Sequence, residues 1–138
     1  MKVVIVGCGR VGAQVATALD RQGHAVSIID MQTSAFRRLA PDFSGRAITG
    51  TGIDEDVLRS AGISEADAFI AVTNGDNRNL MAAQIAKVIF GVDKVAARVY
   101  DPERAETFRS MGIETICSTT TMSNIFLDSV AGSTSATS

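Results

Sequence analysis

Gly7-Cys8-Gly9-Arg10-Val11-Gly12 has the spacing G-x-G-x-x-G. Glycine at these three places suits a backbone that must turn tightly at Gly7, approach a pyrophosphate at Gly9 and let a helix pack on a sheet at Gly12. The unpaired N–H groups and partial positive charge at the start of that helix complete a phosphate site. An acid follows at Asp30, with Met31 beside it. A carboxylate there accepts hydrogen bonds from a ribose diol and repels a 2′-phosphate, which favours NAD(H) over NADP(H). ATP, ADP and AMP carry the same diol, so the reading is NAD(H) or an adenine nucleotide. Arg10 either reaches a phosphate from the first turn of the helix or lies on an exposed helix face, and its position leaves both open.

The glycine pattern is common, and its weight comes from the elements around it. Lys2 to Val6 is a β-branched run ending at the glycines, as a buried parallel strand does. Arg10 to Gln22 places Val11, Val15 and Leu19 at helical spacing, and Gly23 stops it. Ala25 to Ile29 reads as the second strand, ending at Asp30, and a short helix runs from about Ser34 to Leu39 before Pro41. Arg46 to Thr49 is the third strand, Asp54 to Ala61 a helix with acids in its first turn, and Ala68 to Thr73 the fourth strand. Asn77 to Phe90 is the longest helix, followed by a strand over Lys94 to Val99 and a helix started by Pro102. Glu114 to Cys117 is a sixth strand and Thr119 to Val130 a last helix. This alternation with short connections predicts an α/β fold: a Rossmann-like, doubly wound, parallel six-stranded sheet with helices on both faces. Residues 1–130 form one nucleotide-binding domain in this reading, and the Ser/Thr/Ala-rich 131–138 a disordered or truncated tail.

Ligands of such a sheet bind outside the carboxyl ends of its strands. Gly50-Thr51-Gly52, Thr73-Asn74-Gly75-Asp76 and Arg98 all fall on that edge. Singly, each is turn chemistry; together they make a polar ring around one crevice. Arg98, set in an apolar strand, asks for an anionic partner.

The rest of the composition narrows the function. The chain has 138 residues, 46% hydrophobic and 20% charged, with fifteen acids against thirteen bases for a net charge of −2. That balance argues against nucleic acid as a partner. No apolar run approaches the roughly 18 residues of a membrane span, so no direct membrane insertion is expected. Cys8 and Cys117 make neither a disulfide framework nor a zinc site and fit a reducing cytoplasm. His24, the only histidine, sits in a polar turn, and no lysine lies on the crevice edge, so little here suggests acid–base catalysis.

Three stretches carry a family resemblance: Leu58-Arg59-Ser60-Ala61-Gly62-Ile63, Ala71-Val72-Thr73-Asn74-Gly75-Asp76-Asn77-Arg78-Asn79 and Ala97-Arg98-Val99. Together with the glycine loop and Asp30, they resemble the N-terminal domain of TrkA-type potassium-uptake regulators, also called RCK or KTN domains. The resemblance runs from Met1 to about Val130. It implies a cytoplasmic regulatory subunit without catalysis, peripheral at the inner face of the membrane through a potassium channel or transporter, and binding NAD(H) or ATP/ADP. It places phosphates on Gly7 to Gly12 with Arg10, the adenosine ribose on Asp30, and the adenine beside Thr51 and Gly52. Thr73, Asn74 and Arg98 would close the phosphate and second-nucleoside side. Two departures stand out: Thr51 takes a place where the family usually has an acid, and the second, smaller lobe of family members does not follow. The alternative class is the cofactor domain of an NAD-dependent oxidoreductase.

Leu80 to Phe90 is apolar nearly all round, more than one sheet face accounts for, and predicts a homo-oligomer. Met122, Ile125, Phe126 and Val130 form a second helical stripe that packs either on a neighbouring subunit, as the resemblance implies, or on its own sheet.

Overall fold

A computed structural model describes residues 1–132. Its elements run β1 (Lys2–Val6), α1 (Arg10–Arg21), β2 (Ala25–Asp30), β3 (Arg46–Thr49), α2 (Glu55–Ser60), β4 (Ala68–Ala71), α3 (Asp76–Gln84), β5 (Lys94–Val99), α4 (Pro102–Arg109), β6 (Glu114–Cys117) and α5 (Ser118–Ala131). A 3₁₀ turn, Thr33–Arg38, lies between β2 and β3, and a second, Ile63–Glu65, precedes β4. The tail expected over 131–138 falls outside the described residues beyond Gly132, and Ala131 is still helical.

All six strands are parallel, in the order β3-β2-β1-β4-β5-β6. The chain leaves β1 toward β2 and β3, then returns to β1's other side for β4. The topology therefore reverses between β1 and β4, where open α/β sheets bind ligands. Alternation along each strand sends residues to two cores. Val3, Ile5, Val26 and Ile28 pack with Ala13 and Ala16 of α1 on one face. Val4, Val6, Phe69, Ala71 and Val95 pack with Leu58, Leu80 and Ala83 on the other.

Three elements differ from the spacing-based expectation. β4 ends at Ala71 rather than Thr73, because Thr73 gives its N–H to the side chain of Asn79 at 2.8 Å instead of a strand neighbour. The helix expected to Phe90 loosens after Gln84 into a π turn over Ile85–Ile89, closed by Phe90 N–H donating to the Ile85 carbonyl. The short helix after β2 is a 3₁₀ turn, Ala35 and Leu39 donating to Gln32 and Phe36 three residues back.

Helix α5 does not dock on its own sheet. Ile125, Phe126, Leu127 and Val130 are all more than half exposed. The face of β4, β5 and β6 on the α1 side is correspondingly bare: Ile116 is 49% exposed, and Ala68, Ile70 and Ala96 are half-buried along an open groove.

Candidate functional site

A crevice of about 520 Å³ opens over the carboxyl ends of β1, β2 and β4, within the usual range for small-molecule sites. Its floor is Gly7, Cys8 and Gly9; Asp30, Met31 and Arg38 form one wall; Thr73, Asn74 and Arg78 form the opposite one; Thr51 and Gly52 close the β3 side.

Two of the loop glycines are demanded by the fold. Gly7 has φ +109°, and a Cβ there would press on the Val72 carbonyl, while a Cβ on Gly12 would fall on the Gly7 carbonyl oxygen. Gly9 differs: its φ is −79° and a Cβ would meet nothing within 4 Å. The fold does not require glycine at that position, and the residue lines the crevice floor.

Asp30 ends β2 half-exposed. One carboxylate oxygen accepts from Cys8 N–H at 2.7 Å and the other from Gln32 N–H at 2.8 Å. A carboxylate offers about four acceptor directions, so Asp30 is oriented by backbone and keeps capacity toward the crevice. Cys8 lies beneath it, fully buried, its thiol pointing to the Ala35 carbonyl at 3.4 Å. Burial pushes that thiol up, the nearby Asp30 charge adds to the rise, and Arg38 opposes it. The thiol lies under the crevice floor that Cys8 helps to line.

The opposite wall is held by Asn79, which is fully buried. Its Oδ1 accepts from Thr73 N–H at 2.8 Å and from Thr73 Oγ1 at 2.6 Å, while Nδ2 donates to the Thr73 and Arg98 carbonyls. Asp76 accepts the N–H groups of Tyr100 and Asp101. Thr73, Asp76 and Asn79 thus tie the turn after β4 to the end of β5, which gives the Thr-x-x-Asp-x-x-Asn spacing a physical reason.

Of the residues read from sequence, Gly7, Cys8, Gly9, Asp30, Met31, Thr51, Gly52, Thr73 and Asn74 come together around the crevice. Gly12 is buried beneath the loop; Arg10 and Val11 lie exposed at the start of α1, outside the lining. Arg98 is also outside it. Among the described residues Arg98 meets no anion: its Nη2 donates to the carbonyls of Val72 at 2.8 Å and Thr73 at 2.9 Å, the Tyr100 ring lies 5.4 Å away, and Nε is buried without a partner. Its guanidinium braces the end of β4 because strand ends leave carbonyls without ladder partners. His24 lies at the other edge of the sheet, Nδ1 3.0 Å from the terminal amine of Met1.

Sequence reasoning missed Arg38 and Arg78. Arg78 carried a signal: a cation in the first turn of a helix opposes the helix dipole and so asks for a reason. Arg38 carried none beyond its place at the end of the turn after Asp30.

Comparison with known proteins follows the same lines. A potassium-uptake protein TrkA of the Trk system from Streptomyces coelicolor is 55% identical over 116 residues, covering 84% of this chain and 52% of its own. The chain therefore spans about half the length of that relative. Among solved structures, the TrkA-N domain of the inner membrane protein ybaL from Escherichia coli superposes with a TM-score of 0.82 at 16% identity, covering 94% of this chain and 96% of that one. The GsuK protein bound to ADP superposes at 0.76 and 24% identity, covering 92% of this chain and 33% of that one, and the GsuK channel has also been solved bound to NAD. At these identities the structures speak to the fold. The TrkA-N domain family model matches residues 3–119, nearly the whole folded unit; this chain belongs to the TrkA-N domain family.

Proposed function

We propose that this chain is a nucleotide-sensing regulatory domain of a potassium channel or transporter, binding NAD(H) or ATP/ADP in the crevice over β1. The observation that carries the reading is Gly9, a glycine the fold does not need, facing the crevice beside an oriented carboxylate. The ligands come from the neighbours, since GsuK structures hold ADP and NAD; the transport role comes from the relatives named as potassium-uptake proteins. In this reading phosphates lie over Gly7 to Gly12, with Arg10 at the mouth, and Asp30 takes the ribose. Met31, Thr51 and Gly52 border the adenine, Thr73 and Asn74 the far end, and Arg98 supports that end through the carbonyls it holds.

In this reading the domain acts by binding, as a regulatory part of a transport system like the relatives named as potassium-uptake proteins. No described helix is long and apolar enough to cross a membrane, so the domain meets the membrane through its transporter, at the cytoplasmic face. It assembles as a homo-oligomer, because α5 and the outer side of α3 present apolar side chains that its own sheet does not cover. Calorimetric titration with NAD, NADH, ADP and ATP tests the reading. Saturable binding of at least one is expected; no binding by any, or steady turnover of NADH with small 2-keto acids, overturns it.

A further inference from the structure

The crevice lining contains three charged side chains, Asp30, Arg38 and Arg78. In a chain of net charge −2, this pocket concentrates positive charge. The two guanidiniums stand on opposite walls. Arg38 ends the 3₁₀ turn that follows β2, on the same wall as Asp30, and Arg78 lies in the first turn of α3 after β4. β1 runs between β2 and β4, so the two walls are about 10 Å apart, two strand spacings.

Arg38 is directed at the phosphate loop by a contact, and Arg78 lines the opposite wall. Arg38 Nη1 donates to the Cys8 carbonyl at 3.3 Å, a long bond to a neutral acceptor. A phosphate oxygen over Gly9 is a stronger acceptor, since charge-assisted bonds are shorter and about twice as strong. Arg78 makes no hydrogen bond or ion pair among the described residues, and its aliphatic stem lies about 3.7 Å from where a Cβ on Gly75 would be. The stem therefore lies against the turn after β4, and the residue lines the crevice there.

We propose that Arg38 and Arg78 read the ligand's phosphates in order: Arg38 holds the phosphate next to the ribose, and Arg78 the second one. The inference rests on the nucleotide reading above and deepens it. The ribose is fixed at Asp30, so the first phosphate lies over Gly9 within Arg38's reach, and further phosphates extend toward the β4 wall and Arg78. The crevice thus selects nucleotides with two or more phosphates over a monophosphate. Arg38 also gives up the Cys8 carbonyl when it takes a phosphate, which couples occupancy to the turn Thr33–Arg38.

Titration calorimetry of the purified protein, Arg38→Gln and Arg78→Gln with AMP and with ADP, at one ionic strength, separates the roles. Both side chains are exposed, so both variants are expected to fold, with circular dichroism as the check. The unmodified protein is expected to bind ADP about ten- to a hundredfold more tightly than AMP, the span of one charged hydrogen bond. Arg78→Gln should remove most of that difference by weakening ADP alone, and Arg38→Gln should weaken both ligands about tenfold. Arg78→Gln weakening AMP and ADP equally, or either variant binding ADP like the parent, overturns the assignment. If the unmodified protein binds no nucleotide, the functional reading itself fails and this inference falls with it; binding with the wrong pattern overturns the arginine roles alone.

Discussion

Cys8 commits all its polar groups to the end of β2 and the turn after it: its N–H to Asp30, its carbonyl to Arg38 and its thiol to the Ala35 carbonyl. Two predictions belong to this cluster. Asp30→Ala removes the acceptor for ribose hydroxyls and is expected to weaken nucleotide binding by about 1.5–3 kcal/mol, the worth of hydrogen bonds to a charged group. It also orphans Cys8 N–H, so Asp30→Asn, which keeps one acceptor oxygen, should recover stability more than affinity. Equal affinity of the Ala variant and the parent for both NADH and ADP would show that Asp30 does not take a ribose. The second concerns pH. The Cys8 thiol is raised by burial first and by Asp30 second, so the folded protein keeps this proton to higher pH than the unfolded chain does. The stability tied to the neutral thiol is whole below the unfolded value of about 8.5 and falls as pH rises through the folded value. Urea midpoints of the parent and Cys8→Ala between pH 7.5 and about 10 are expected to converge as pH rises. A constant gap would contradict it.

At the scale of elements, the turn after β4 is built by one buried side chain. Asn79 serves Thr73 N–H, the Thr73 hydroxyl, and the carbonyls of Thr73 and Arg98 at once. Replacing it with leucine keeps the branched shape, leaves Thr73 N–H without its acceptor and removes the donor to the Arg98 carbonyl, at about 1–3 kcal/mol each, while the Thr73 carbonyl keeps Arg98. A loss on the order of 3 kcal/mol is expected for Asn79→Leu, seen as a fall in Tm of roughly 10 °C; a fall under about 2 °C would mean the turn holds itself. This network marks the limit of what the chain discloses before folding. Four strands, Lys2–Val6, Arg46–Thr49, Lys94–Val99 and Glu114–Cys117, end where the spacing of apolar residues puts them, because Gly7 and Gly50 close the first two and polar Asp101 and Ser118 lie just past the others. The glycine loop and Asp30 were legible too, since their geometry is local. β4 was read two residues long because the group that takes Thr73 N–H comes from the next helix. A strand arginine such as Arg98 reads as unpaired in sequence, and the carbonyls of Val72 and Thr73 that its Nη2 meets arrive only from a neighbouring strand end. Arg38 and Arg78 were passed over for the same cause: tertiary folding alone brings them to one crevice.

Among the described residues, the molecule as a whole leaves two apolar surfaces uncovered on opposite sides of the sheet. One is the outer side of α3 and its π turn, where Met81, Val88 and Ile89 are exposed at 47%, 73% and 54%. The other combines α5 with the bare face of β4–β6, where Ile116 and Phe126 are exposed at 49% and 64%. Scattered apolar residues on a surface are ordinary; contiguous ones are not. The second surface is self-complementary in kind, since a helix with an unburied apolar stripe follows β6 and the α1-side face of β4–β6 is covered by no helix among the described residues. Two copies exchanging α5 would cover both at once, through an isologous contact. Fully burying a side chain such as Phe126 contributes about 1.5–3 kcal/mol, so a charge at its centre should be decisive. Light scattering at micromolar concentration is expected to give a dimer or larger assembly for the parent. Phe126→Glu, alone or with Ile116→Glu, should lower its order without lowering the affinity for ADP, because neither residue lines the crevice. A monomeric parent, or a Phe126→Glu protein that assembles like it, would place the subunit contact elsewhere. Loss of nucleotide binding along with assembly would instead mean that the crevice is completed by a second copy.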